Sequence, residues 1–223
     1  MMQKTFEQHP YRPTEDNVCA LAEAVKPYLT DKRYAHTAAV AEEAARLGEI
    51  FGFSGDDIRR LRVSALLHDI TKLADSKKQL QYCEEFGIIL EPEKNVSSSI
   101  LHGITGAALA VRDFAAYTDA DILSGVRWHT TGRHGMTVFE AIIYLADYIE
   151  PTRKFDDCKA VRQYFYDRIG GCTDEEDRLE VLRDTMIYSF DRTIENLLED
   201  RHIIDSDTIC ARNYFIALGS DSE

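Results

Sequence analysis

"KRYAHTAAVAEEAARLGEIFG", residues 32 to 52, places Ala39, Val40, Ala44, Leu47 and Phe51 on one stripe and stops at Gly52. Apolar residues three and four apart define the buried face of a helix, and His36 sits in its first turns close to that face. The same period recurs on both sides. "TEDNVCALAEAVKPYL" (14–29) opens with Thr14 as a cap and runs as a first helix. Ser54 followed by Asp57 is a capping signature, and it starts a helix that ends near "LLHD" (66–69). Further helices are expected at roughly 76–86, 97–116, 119–129, 137–149, 156–169, 174–200 and 207–217. With only 5 prolines and 12 glycines, and no alternating pattern, the chain is expected to be all-α. No repeat or low-complexity tract interrupts it, and "GGCTDEEDR" (170–178) is the best internal break.

At 223 residues and 44% hydrophobic content, the chain can bury one full core. No stretch approaches eighteen apolar residues, and "MMQKTFEQHPYRPTEDN" lacks the apolar segment of a secretory signal, so a soluble, cytoplasmic protein is expected. Five scattered cysteines without a C-x-x-C argue against a disulfide framework or a thiolate metal site, and most are expected to be small buried hydrophobes. A formal net charge of −13 argues against nucleic acid or an anionic membrane as partner. A phosphate-bearing small ligand is compatible with that charge provided that metal ions or convergent basic side chains offset it locally.

"ALLHDITK" (65–72) sets a histidine, an aspartate and a lysine at the end of an aliphatic run. Buried charge is costly unless paired or metal-bound. A His-Asp pair alone carries little weight, and each histidine taken singly is more often a satisfied core or surface residue. The setting recurs, however. His36 in "YAHTAAVA", His68 and Asp69 in "LLHDI", His102 in "SILHGITGAALA" and Asp147 in "IIYLADYIEP" are each embedded in apolar helix, and His129 in "VRWHTTG" closes one. Imidazole and carboxylate are ligands of zinc, manganese, iron and similar ions, and inward-pointing groups on neighbouring helices can share one. Six candidate ligands suggest two ions about 3.5–4 Å apart, with Asp69 as the bridge. In "HTTGRHGM" (129–136), Gly132 and Gly135 permit tight turns, and Thr130 and Thr131 offer hydroxyl donors to phosphate. His134 reads as exposed, His9 and His202 as structural or exposed, and Glu195 and Glu199 as part of a solvated face.

The ordered set His36, His68-Asp69 and Asp147 resembles that of the HD-domain metal phosphohydrolases. "LHGITGA", "HTTG" and "ADYIEPTR" look like the YqeK-type branch, the symmetrical diadenosine tetraphosphate hydrolases, over roughly residues 30 to 155, with a weaker match at Arg212-Asn213. The resemblance implies an HD-domain helical bundle and a dinuclear site, commonly iron with manganese, cobalt or zinc as alternatives, that cleaves a dinucleotide into two ADP. It implies His36, His68, Asp69 and Asp147 as metal ligands, with His102 and His129 facing the second ion or the phosphates. Asp69 and Lys72 would be catalytic, and Arg33, Lys72 and Arg153 the cations near the nucleotide. One departure stands out: Ala141 occupies a position where these proteins usually carry lysine. On this reading residues 1–30 form an N-terminal helical extension, 31–155 carry the metal and nucleotide site, and 156–223 pack on the same domain. A homodimer is compatible with it. The alternatives are an HD-type nucleotidase or phosphodiesterase acting on another nucleotide, and a non-catalytic nucleotide-binding protein.

Overall fold

The structure is a computed structural model and describes Met2, residues 11–90 and residues 98–220; His9 lies outside these residues. Ten α-helices and no strand are found among them: α1 (Glu15–Ala24), α2 (Asp31–Ile50), α3 (Gly55–Leu67), α4 (Ser76–Glu85), α5 (Ser98–Asp113), α6 (Ala120–Trp128), α7 (Val138–Ile149), α8 (Asp156–Ile169), α9 (Glu175–Glu199) and α10 (Ser206–Ser220).

Local chemistry sets the helix starts. The hydroxyl of Ser54 accepts from the Asp57 amide, and the Thr137 and Glu140 side chains exchange hydrogen bonds with each other's backbone N–H in a capping box. The first helix is shorter than the sequence suggests. It ends at Ala24, and a 3-10 turn over Lys26–Tyr28 follows, because Pro27 has no N–H to continue the α-helical ladder. The cysteine expectation is corrected as well: all five are free, but only Cys83 and Cys158 are buried, while Cys19 and Cys210 are exposed.

The central layer is α2, α3, α6 and α7, packed on one another, with α5 against α6 and α4 against α5. α7 is the core helix: ten of its residues from Val138 to Ile149 are buried. Its far side meets α8, which pairs with α9, and α10 packs along α9. Arg60 is fully buried and is held by Asp57, Asp119 and Asp121, which fixes α3 to the start of α6. Gly103 is required where α5 crosses α6, since a Cβ there would lie 2.8 Å from the Arg127 carbonyl oxygen. The result brings the end of α3, the second turn of α5, the end of α6 and the end of α7 to one spot beside the first turns of α2.

Candidate metal centre

At that spot four imidazoles form a chain. Ring centroids are 5.6 Å apart for His36 and His68, 4.9 Å for His68 and His129, and 4.8 Å for His129 and His102. His68 and His129 are the C-caps of α3 and α6, so each lies where its helix gives way to a turn. The Nδ1 of His68 is 2.5 Å from the Ala65 carbonyl oxygen, and that of His129 is 2.7 Å from the Val126 carbonyl oxygen. Donation to those carbonyls places the proton on Nδ1 and leaves Nε2 as a lone pair facing the cluster.

Two carboxylates meet these nitrogens. Asp147 Oδ1 is 3.0 Å from His36 Nε2 and 3.8 Å from His68 Nε2. Asp69 presents its two oxygens to different neighbours: Oδ2 is 3.2 Å from His68 Nε2 and 3.8 Å from His36 Nε2, while Oδ1 is 3.4 Å from His102 Nε2 and 3.9 Å from His129 Nε2. Two overlapping ligand groups result, His36–His68–Asp147 and His68–Asp69–His129, each with ligand atoms within 4.8 Å of one another. Within the buried cluster, Nε2 of both His36 and His68 lacks a hydrogen-bond partner. Buried nitrogens without a partner, aimed at carboxylate oxygens, fit a divalent cation, which would remove the desolvation cost on both sides.

At the two carboxylates and at His102 and His129 the electrostatics run the same way. Burial pushes the Asp69 carboxyl up, but the nearby His68 and His102 outweigh it and hold the group well below the usual carboxylate range. Asp147 is likewise depressed against the effect of burial by the Arg153 guanidinium and His36. Burial lowers His102 strongly, with His129 and Lys72 adding to the effect, and burial with His68 lowers His129 to about 4. His68 moves the other way: burial lowers it, but Asp69 and Asp147 outweigh burial and raise it. Ionised carboxylates and neutral imidazoles are the protonation states that ligate metal, so an ion would displace the His68 proton.

The cations line the rim. Arg33 Nη1 donates to Asp69 Oδ2 at 2.9 Å, and Arg153 donates to Asp147 Oδ1 at 2.5 Å and to its carbonyl oxygen at 2.6 Å. Lys72 Nζ is 3.4 Å from His102 Nε2; burial lowers its pKa, partly offset by Asp69 and Asp147. Thr130 Oγ1 is 3.2 Å from His102 Nε2 and 3.1 Å from His129 Nε2. The Thr131 hydroxyl turns elsewhere, donating to the Gly132 carbonyl, and its side chain lines a neighbouring cavity. Ala141 is fully buried in the core, so this position contributes packing and no charge. His134 is exposed with its ring 5.1 Å from that of Tyr214, His202 is exposed, and Glu195 and Glu199 are exposed on α9. Arg212 pairs with Asp191 and ties α10 to α9.

The sequence reading gave Glu150 no role. Its carboxylate is fully buried, lies 3.0 Å from His36 Nδ1, and accepts from the Thr152 amide and hydroxyl at 2.6 and 2.7 Å. It fixes the His36 ring as the carbonyls of Ala65 and Val126 fix theirs. A buried network also went unread. Thr71 donates to the His102 carbonyl and lies 3.0 Å from Thr105 Oγ1, and Gln79 donates to the Thr71 carbonyl. The signal for Glu150 was present, a carboxylate three residues after Asp147 in "ADYIEPTR", whereas nothing in the sequence pairs Thr71 with His102.

Residues 33–152 match the HD domain family model. The chain belongs to the HD-domain family. Three HD-domain relatives carry the name "Bis(5'-nucleosyl)-tetraphosphatase, symmetrical". The one from Halalkalibacterium halodurans is 32% identical over 86% of this chain and 93% of its own, and that from Bacillus subtilis is 32% identical over 86% and 94%. The Staphylococcus aureus relative is 30% identical over 85% and 90%. Among solved structures, a predicted HD superfamily hydrolase involved in NAD metabolism from Clostridium acetobutylicum superposes with a TM-score of 0.77 at 29% identity, covering 93% of this chain and 99% of that one. HD-domain hydrolases are metal-dependent, in keeping with the donor set above. No helix among the described residues is long and apolar enough to cross a membrane.

Proposed function

We propose that this chain hydrolyses dinucleoside tetraphosphates, diadenosine tetraphosphate foremost, symmetrically into two ADP. The observation that carries the reading is the Asp69 carboxylate, whose two oxygens face different histidines while Arg33, Lys72 and Arg153 stand around it. The names of the three relatives support the substrate. His36, His68, Asp69 and Asp147, with His102 and His129, would hold two ions, iron by the family resemblance. Such a pair, when bound, activates water and neutralises charge on the transferring phosphoryl group.

The side chains supply the rest. Arg153 keeps the Asp147 carboxylate ionised and in place, and the remaining N–H groups of Arg33 and Arg153 are available to phosphate oxygens. Lys72 acts as a point charge toward the leaving diphosphate, and the Thr130 hydroxyl donates to a phosphate oxygen on the same side. Glu150 holds the proton on His36 Nδ1, keeping Nε2 free. Residues 31–155 carry this machinery, and 156–223 belong to the same domain.

The test is product identification. In oxygen-18 water, attack at the phosphorus next to the central bridging oxygen gives two ADP per substrate, one carrying a single label on its terminal phosphate. ATP plus AMP would overturn the symmetrical reading, and elemental analysis of anaerobically purified protein reads the metal and its stoichiometry.

A further inference from the structure

The centre lies between two cavities of opposite character. One, about 440 Å³, is basic: Lys32, Arg33, Arg153 and Lys154 line it, and His36 opens onto it. Phe155 stands at its edge, 70% exposed. The other, about 530 Å³, begins at Thr130, on the His102 and His129 side, and is closed by the end of α9, the turn that follows and the start of α10. A smaller recess of about 300 Å³ joins them, sharing Arg153 and Phe155 with the first and Thr193 and Leu197 with the second.

The larger cavity suits phosphate poorly. Its one arginine, Arg201, shares the lining with the buried Asp205, while Ile100, Leu197 and Ile203 supply apolar wall and Thr193 and Thr208 supply hydroxyls. Apolar walls with a few convergent polar groups are what a neutral, flat, hydroxyl-bearing ligand needs. The turn in this wall is the C-terminal cap of α9. Arg201 has φ 54°, in the left-handed region that glycine normally fills, and the turn is held there by the His202 amide donating to the Leu197 carbonyl at 2.8 Å.

We infer that this cavity is a nucleoside pocket: it receives the base and ribose of one half of the dinucleotide, while the basic cavity grips the phosphates and the other half. The inference rests on the dinucleotide reading above and extends it, since the walls from Thr193 to Thr208 lie outside the matched residues 33–152. The C-terminal helices would thereby select substrates that carry a second nucleoside over those that end in phosphate.

Ile203 is the side chain to change, because it lines the cavity yet is 50% exposed, so substitution spares the core. Ile203→Trp should raise the KM for diadenosine tetraphosphate about tenfold or more, and weaken binding of its non-hydrolysable methylene-bridged analogue to the same degree by titration calorimetry. Ile203→Ala should act in the same direction by about threefold to tenfold. Binding of ADP, and inhibition by adenosine 5′-tetraphosphate, which has the phosphates but no second nucleoside, should stay within about twofold of the parent. An unchanged KM in both variants, or a parallel loss of ADP and adenosine tetraphosphate binding, would overturn the pocket. If the parent protein turns over no diadenosine tetraphosphate with iron, manganese, cobalt or zinc, the functional reading itself fails; if it does and the Ile203 variants match it, the pocket alone fails.

Discussion

Asp69 is the carboxylate that reaches along the row of histidines, since its two oxygens face His68 and His102 respectively. Asp69→Ala should abolish turnover and lower bound metal, read by activity and elemental analysis on the same sample; normal metal content with normal activity would refute the shared-carboxylate geometry. Lys72→Ala and Arg33→Ala should keep their metal and lose about ten- to hundredfold in kcat/KM, the worth of one charge-assisted contact of about 1.5–3 kcal/mol. Loss of metal by a folded Arg33 variant would instead assign its guanidinium to maintaining Asp69. Glu150→Gln keeps the shape but exchanges the carboxylate for an amide, so His36 Nδ1 loses its charged acceptor. Metal affinity should fall about ten- to hundredfold, as for other partners that orient a ligating histidine, and competition with a chelator measures it directly.

At the scale of elements, α5 and α6 are held at the distance that puts His102 Nε2 2.9 Å from His129 Nε2. Gly103 sets that distance. Gly103→Ala gains helix propensity, up to about 1 kcal/mol, but its new methyl group would lie 2.8 Å from the Arg127 backbone oxygen, which cannot rotate away. The net effect should be destabilisation by about 1–3 kcal/mol, or about 2–4 °C in Tm per kcal/mol, with a loss of activity larger than the stability change explains. A Tm equal to or above the parent's would mean that the helices adjust freely. Helices of this kind are legible in the sequence because period and cap agree: Ser54 with Asp57 marks a start that the structure reproduces to within a residue, and the helix expected at 137–149 is Val138–Ile149. The break at Pro27 is masked in the sequence by the apolar pattern that runs through it. The six candidate ligands can be picked out because each is a polar group inside an apolar helix or at its end. Thr71, Gln79 and Thr105 could not, since short polar side chains acquire meaning only from the partner that packing delivers. The cavity at Arg201 was hidden for the same reason, as a left-handed arginine leaves no mark in composition.

For the whole molecule, the centre ties α2, α3, α5, α6 and α7 together. Removing the metal should therefore lower the Tm of the entire domain in one transition. An ion at a hundredfold excess over its Kd contributes about 2.7 kcal/mol, and scanning calorimetry with and without chelator reads it; an unchanged Tm would mean that the cluster is complete without a cation. The order of the ligands along the chain has a temporal meaning as well. His36 and Asp147 stand near opposite ends of the matched segment 33–152, so the group His36–His68–Asp147 does not exist until the ribosome has released α7 and α7 has docked on α2. A nascent chain that stops at α6 offers imidazoles and one carboxylate without the second. The group His68–Asp69–His129 is complete once α6 has emerged, whereas an ion that needs Asp147 would bind only after α7 has docked, so the two groups would fill in the order in which the chain is made.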